Sequence, residues 1–305
     1  VDIGGTKLAA ALVAGGRILE TLRAPTPPGG DADQVWTALT GLVDRLLRGR
    51  APAAVGIGCG GPMTWPQGRV SPLNIPGWRD FPLVDRMARH VGGRSVRIHN
   101  DAVCFAVGEH RQGAGRGSPA LLGMVVSTGV GGGLVLDGRV VVGPSGNAGH
   151  IGHLVVDPDG PVCACGGRGC LEAVARGPAV TAWAREQGWA AAAGSDGRAL
   201  VSDAARGDPV AVAALRRAGE ALGVAISSAT LLLDLDVVSI GGGLAQAGPF
   251  LFGPLEETLR RHARLPFARA VRVVPAALGQ DAGLIGAAAL AVDDSGCYWT
   301  PSPPA

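Results

Sequence analysis

A chain of 305 residues, 47% hydrophobic and 17% charged, is long enough for one large or two medium cores and excludes bulk disorder. Its formal net charge of +2 gives no electrostatic case for nucleic acid or an anionic membrane as partner. The 50 glycines exceed twice ordinary usage, yet they gather in short loops with no collagen period or low-complexity tract.

The chain opens on Asp2-Ile3-Gly4-Gly5-Thr6-Lys7, set between two strand-like runs. Adjacent glycines permit a tight turn whose N–H groups face an anion, while Thr6 and Lys7 add a hydroxyl and a cation. Asp2 is placed to hold Mg²⁺ directly or through water. An ordinary hairpin is the competing reading. A strand over 8–13 follows, and the spacing of Val35, Leu39, Leu42, Val43, Leu46 and Leu47 predicts a helix over 34–47. A buried strand over 54–59 runs into Gly60-Gly61-Pro62. Another strand over 95–99 meets Asn100-Asp101 and a helix over 102–110. On spacing alone that Asn-Asp pair reads as a turn or helix cap.

A strand over 121–127 leads into Ser127-Thr128-Gly129-Val130-Gly131-Gly132-Gly133, a second phosphate-type loop that is neither a Walker loop nor a Rossmann fingerprint. Segments 132–136 and 139–142 form a hairpin around Asp137-Gly138. Next come His153 and three thiols within eight positions, Cys163, Cys165 and Cys170. One imidazole and three thiolates complete a tetrahedral zinc shell, which leaves no position open for water and makes the metal structural. The alanine-rich stretch 178–226 reads as helical, and a strand over 237–240 runs into a third glycine cluster, Gly241-Gly242-Gly243. That cluster suits close approach to a nucleotide base or ribose. A helix over 248–264, a strand over 271–274 and a helix over 282–291 complete the pattern, with the 301–305 end expected to be disordered. The stretch 221–233 is too short and serine-interrupted to span a bilayer. No leader-like segment opens the chain, and three cysteines are scattered while three are clustered. Together these features suggest a soluble protein of the reducing cytoplasm.

These motifs together resemble the ROK family, sugar kinases and related repressors within the hexokinase/actin-like ATPase superfamily. The resemblance runs from Asp2 to about residue 290 and includes the opening motif, Asn100-Asp101, the second glycine loop, the 152–172 zinc segment and Gly241-Gly242-Gly243. It implies an α/β, two-lobed, ribonuclease-H-like (actin-like ATPase) fold with a structural zinc loop. The small lobe would comprise 1–105, joined by the C-terminal helix 282–292; the large lobe 106–281; and a tail 293–305. A hexose would lie in the cleft with ATP-Mg²⁺ above it and accept the γ-phosphoryl group at its 6-hydroxyl. Some members use polyphosphate, which no residue here excludes. Homodimers are usual in the family.

The same resemblance makes Asp101 the catalytic base and Asn100, Asn74 and Glu172 sugar contacts. His153 would bind zinc through one ring nitrogen and a sugar hydroxyl through the other. Asp2, Gly4, Gly5, Thr6, Lys7, Ser127, Thr128, Gly129, Gly131, Gly241, Gly242 and Gly243 would surround the nucleotide. Trp78, in Asn74-Ile75-Pro76-Gly77-Trp78, reads as a packing residue. One position departs from the pattern: His150 stands where family glucokinases carry glutamate. Imidazole donates as well as accepts and is not normally anionic, which suits an acyl carbonyl better than vicinal hydroxyls. The Gly-His-Ile-Gly-His form is similar to N-acetylmannosamine kinases; the alternatives are a glucokinase in which His150 is a variation without effect on preference, or a sugar-sensing regulator. The regulators carry an N-terminal helix-turn-helix, and this sequence starts at the phosphate motif.

Overall fold

The computed structural model describes residues 1–192 and 194–298; the expected disorder of 301–305 lies outside them. In chain order the first elements are β1 (Asp2–Ile3), β2 (Lys7–Ala14), β3 (Arg17–Pro25), α1 (Ala32–Leu47), β4 (Ala54–Cys59) and β5 (Met63–Thr64). They continue with β6 (Arg69–Val70), β7 (Phe81–Pro82), α2 (Leu83–His90), β8 (Ser95–Asn100) and α3 (Asp101–Gln112). The second series begins with β9 (Ala120–Val126), β10 (Val130–Leu136), β11 (Arg139–Val140), α4 (Leu171–Ala175), α5 (Gly177–Glu186) and α6 (Gly197–Ala205). It ends with α7 (Pro209–Leu233), β12 (Val237–Gly241), α8 (Pro249–His262), β13 (Arg272–Pro275) and α9 (Ala282–Ala291).

Two compact units result. One contains Val1–Gly117, Gly133–Gly149 and the chain from Gln280; the other contains Ser118–Gly132 and His150–Gly279. The sequence boundary after residue 105 is therefore displaced, because it would cut α3. That helix buries every side chain from Ala102 to Glu109. It lies so close to α9 that a Cβ on Gly108 would stand 2.2 Å from the Ala282 carbonyl oxygen. Part of the supposed tail is also packed: Val140 N–H donates to the Cys297 carbonyl at 2.7 Å.

In the first unit the strand order is β3-β2-β1-β4-β8, and the second sheet repeats it as β11-β10-β9-β12-β13. β1 pairs antiparallel with β2 and parallel with β4, which pairs parallel with β8. The register aligns Ile3 with Cys59 and Cys59 with Asn100, so the carboxyl ends of three parallel strands finish level. α1 begins at a capping box formed by Asp31 and Gln34, and Leu39 and Leu42 join Ile3, Leu8, Ile57 and Ile98 in the core. Trp78 is fully buried and stacked on Phe81, with ring centroids 4.4 Å apart.

β3, α2 and the small sheet β5-β6-β7 have no counterpart in the sequence reading. β3 is an edge strand whose two faces are both partly solvated, which erases the alternation that reveals a strand. The helical stretch 178–226 divides into α5, α6 and α7. Asp196 and Asp208 start the latter two by accepting backbone N–H bonds at their N-termini. In the second unit β12 pairs parallel with β9 and β13, with Gly241 opposite Val125. Among the described residues no helix is long and apolar enough to cross a membrane.

Candidate functional site

Ligand sites of open α/β sheets form beyond the carboxyl ends of parallel strands. Most site residues expected from the sequence lie at such an end or on the segment that holds the Cys/His cluster; Asn74 lies instead in the loop between β6 and β7, and Gly131 within β10. At the end of β8, Asn100 caps α3: its Oδ1 accepts the Ala102 N–H at 3.0 Å. Asp101 Oδ1 accepts the same N–H at 2.9 Å. The helix-cap reading of this pair and a chemical reading are thus compatible. Asp101 is half-buried. Desolvation, with the Asp2 carboxylate adding to it, pushes its pKa up to about 6 against the opposing backbone hydrogen bonds.

His99, one residue earlier, was not singled out in the sequence. It is fully buried, and desolvation lowers its pKa to about 4, so the ring is neutral. Its Nδ1 accepts the Asn100 N–H at 3.0 Å, which assigns the proton to Nε2. Among the described residues Nε2 has no hydrogen-bond partner.

The β1–β2 turn is more constrained than a simple anion cradle. Its Gly4 N–H already donates to the Lys7 carbonyl at 3.0 Å, so that amide closes the hairpin. Thr26, just past β3, fastens the turn by donating its hydroxyl to the Gly4 carbonyl at 2.7 Å. Thr6 is exposed, and Lys7 Nζ donates to Gln280 Oε1 at 3.4 Å. Asn74 lies directly over the turn: a Cβ on Gly5 would stand 2.7 Å from Asn74 Cβ. On its other side the Asn74 amide faces Gly60, 3.5 Å from where a Cβ would be. Burial pushes the Asp2 carboxyl up, against nearby cations that include Lys7 and Arg23.

In the second unit the other two glycine loops converge. Gly242 has φ +93° and rests on the backbone of Val126, and Gly243 lies beside Ser127 Oγ. Ser127 N–H donates to the Gly129 carbonyl at 2.8 Å, closing a turn that presents Thr128 to solvent. Gly131 follows in β10. Glu172, in the first turn of α4, accepts the Val130 N–H at 2.9 Å through Oε2. Nothing in the sequence indicated that contact.

His153, Cys163, Cys165 and Cys170 offer one ligand atom each, all within 4.8 Å of one another. Cys163 Sγ stands 3.7 Å from His153 Nδ1, and Cys165 Sγ 3.7 Å from Cys170 Sγ. Zinc–sulfur bonds of about 2.3 Å at the tetrahedral angle put two sulfurs about 3.8 Å apart, so the donor set fits that ion. Burial first, then the neighbouring thiols, pushes the Cys170 thiol up to about 12, a conflict that a bound cation would relieve. The loop closes on itself through Cys163 N–H to the Gly167 carbonyl and Gly166 N–H to the Cys163 carbonyl. Gly169 has φ +68°, and a Cβ there would sit 1.5 Å from the Asp157 oxygen, so only glycine fits. His150 is exposed, its ring stacked near His153 at 6.2 Å between centroids.

Comparison with known proteins matches this geometry to one family. The family model described as ROK family matches residues 1–294. A glucokinase of Thermotoga maritima is 36% identical, with 95% of each chain covered. An N-acetylmannosamine kinase of Escherichia coli is 37% identical over 95% of this chain and 97% of its own. Among solved structures, a glucokinase of Streptomyces griseus in complex with glucose and AMPPNP superposes with a TM-score of 0.84 at 35% identity. That superposition covers 95% of this chain and 97% of the other.

Proposed function

The chain belongs to the ROK family, and from that premise we propose that it is an ATP-dependent sugar kinase acting on the 6-hydroxyl of a hexose, with an N-acetylmannosamine-type acceptor preferred over glucose. The observation that carries this reading is Asp101, a half-buried carboxylate at a strand end whose pKa is raised to about 6. Such a group is ionised at neutral pH and is a better proton acceptor than an ordinary aspartate. Asp101 takes the proton of the 6-hydroxyl as that oxygen bonds to the γ-phosphorus. The bond to the β–γ bridging oxygen breaks, and its electron pair leaves with ADP.

The remaining residues position the reactants. Asn74, Asn100, His150, Glu172 and the Nε2 side of His153 are the residues assigned to sugar hydroxyls. Gly4, Gly5, Thr6 and Lys7 face the transferred phosphate, Ser127, Thr128, Gly129 and Gly131 the remaining phosphates, and Gly241, Gly242 and Gly243 the adenosine. Asp2 would hold Mg²⁺, directly or through water, and the mutual repulsion of Asp2 and Asp101 suits a cation there. That ion would neutralise charge on the phosphates. Zinc on His153, Cys163, Cys165 and Cys170 would be structural, fixing His153 and, two residues past Cys170, Glu172.

His150 supports the N-acetylated acceptor, because its imidazole can donate to an acyl carbonyl where a carboxylate cannot. A glucokinase is the second reading: relatives of both kinds match at 36% and 37% identity, so overall similarity does not separate them. The test is a coupled ADP-release assay over glucose, mannose, N-acetylmannosamine and N-acetylglucosamine, with ATP or polyphosphate as donor. Asp101→Ala abolishes turnover if the base is correctly assigned. His150→Glu shifts preference toward glucose, and an unchanged ratio would remove the argument for the N-acetyl group.

A further inference from the structure

The Cys/His cluster and the second glycine loop meet at one residue, Val130, whose N–H is hydrogen-bonded and whose carbonyl oxygen is closely packed. Its N–H donates to Glu172 Oε2 at 2.9 Å. Its carbonyl oxygen lies so close to Gly152 that a Cβ there would approach it to 2.0 Å. Gly152 immediately precedes His153, and Glu172 follows Cys170 by two residues. Both contacts therefore come from residues beside metal-type ligands, one at each end of the cluster's sequence span. Just past that span, at the start of α5, Gly177 N–H donates to the Ser127 carbonyl at 2.7 Å and holds the start of the turn. Gly129 leaves just enough room for the carboxylate, as a Cβ on it would stand 2.8 Å from Glu172 Oε2.

From this arrangement we propose that Glu172 is a positioning residue for the Ser127–Gly132 turn, and that it transmits the order of the metal-bound cluster to the loop that binds the nucleotide phosphates. Metal would then raise nucleotide affinity as well as shape the sugar pocket. A backbone amide held by a carboxylate cannot rotate away from the turn, and the carboxylate in turn is held by the segment the metal closes. The inference about nucleotide rests on the kinase reading; the mechanical link to Val130 does not.

The two are separated by measuring amide hydrogen exchange across 129–132 in the zinc-loaded full chain, then binding of AMPPNP with Mg²⁺ in the absence of sugar. Glu172→Ala, with zinc content verified as unchanged, is expected to speed exchange at Val130 and weaken AMPPNP roughly tenfold or more, the loss of one hydrogen bond to a charged acceptor. Glu172→Gln keeps an acceptor and should restore most of both. Chelating the zinc should mimic Glu172→Ala and add little to it in combination. Unchanged exchange at Val130 in Glu172→Ala overturns the proposal outright. Faster exchange with unchanged AMPPNP affinity overturns its nucleotide half. Failure of the wild-type chain to bind AMPPNP would instead defeat the kinase reading, leaving the exchange result to decide the link.

Discussion

The end of β8 and the Cys/His loop are held by opposite means. Asn100 and Asp101 are fixed by regular structure: strand register on one side, the first turn of α3 on the other, and a neutral buried His99 beneath. The Cys/His loop has almost no regular structure; among the described residues it contains only the turn Ile151–His153 and isolated bridges such as Val155 to Cys170. Its shape comes from glycine conformations, a few backbone hydrogen bonds and four converging ligand atoms. A group that must keep a shifted pKa gains from a dry, regular support. A group that must be aimed can be held by cross-links, and it loses its aim when they are removed.

The largest test of that contrast removes the charge at the rigid site. Asp101→Asn should lower kcat about a hundred- to ten-thousand-fold, the usual contribution of a general base. The same change should stabilise the fold. With a folded pKa of about 6 against an ordinary aspartate value of 3.8, the native state holds more protons than the unfolded chain between those pH values. Stability is therefore lost as pH rises through that window, and the full cost applies above it. A neutral amide removes a cost of at most about 3 kcal/mol. A higher urea midpoint at pH 7.5, with no difference below pH 3.8, is the expected result.

Next in size is a strike at the cross-linked site. Gly169→Ala forces a Cβ into the Asp157 carbonyl and should reduce the zinc retained after gel filtration, measured by metal analysis. Sugar KM should rise several-fold. The acid limb of kcat/KM should nevertheless stay near pH 6, because burial and then the Asp2 carboxylate, rather than any Cys/His group, raise the Asp101 pKa. A limb that moved with metal content would break the contrast.

The candidate motifs were legible in the sequence wherever they occupied a short contiguous run. The three glycine loops and the Asn100-Asp101 pair each occupy a few residues, and the candidate ligands His153, Cys163, Cys165 and Cys170 a single unbroken segment. Partnerships across the chain were not legible. Thr26 meets Gly4 across 22 residues and Glu172 meets Val130 across 42, and no local pattern encodes either. The same limit explains β3 and the small sheet, whose strands are too short or too evenly solvated to show a period. It also explains the misplaced boundary at 105, since membership of α3 in the first unit depends on α9, which comes at the far end of the chain.

The smallest test asks whether the first glycine turn belongs with the rigid site or the cross-linked one. Thr26 is 6% exposed, and its hydroxyl donates to Gly4 O while its N–H donates to Thr6 O at 3.1 Å. Thr26→Val keeps the shape and the backbone bond but removes the hydroxyl, leaving a carbonyl short of one donor. The stability cost should be about 1 kcal/mol. If the turn is already set by the Gly4-to-Lys7 hairpin bond and the overlying Asn74, AMPPNP affinity should change less than threefold despite that cost. A larger loss, with stability barely altered, would mean that a single side chain aims the turn, and the β1 end would then join the Cys/His loop as a site held by cross-links.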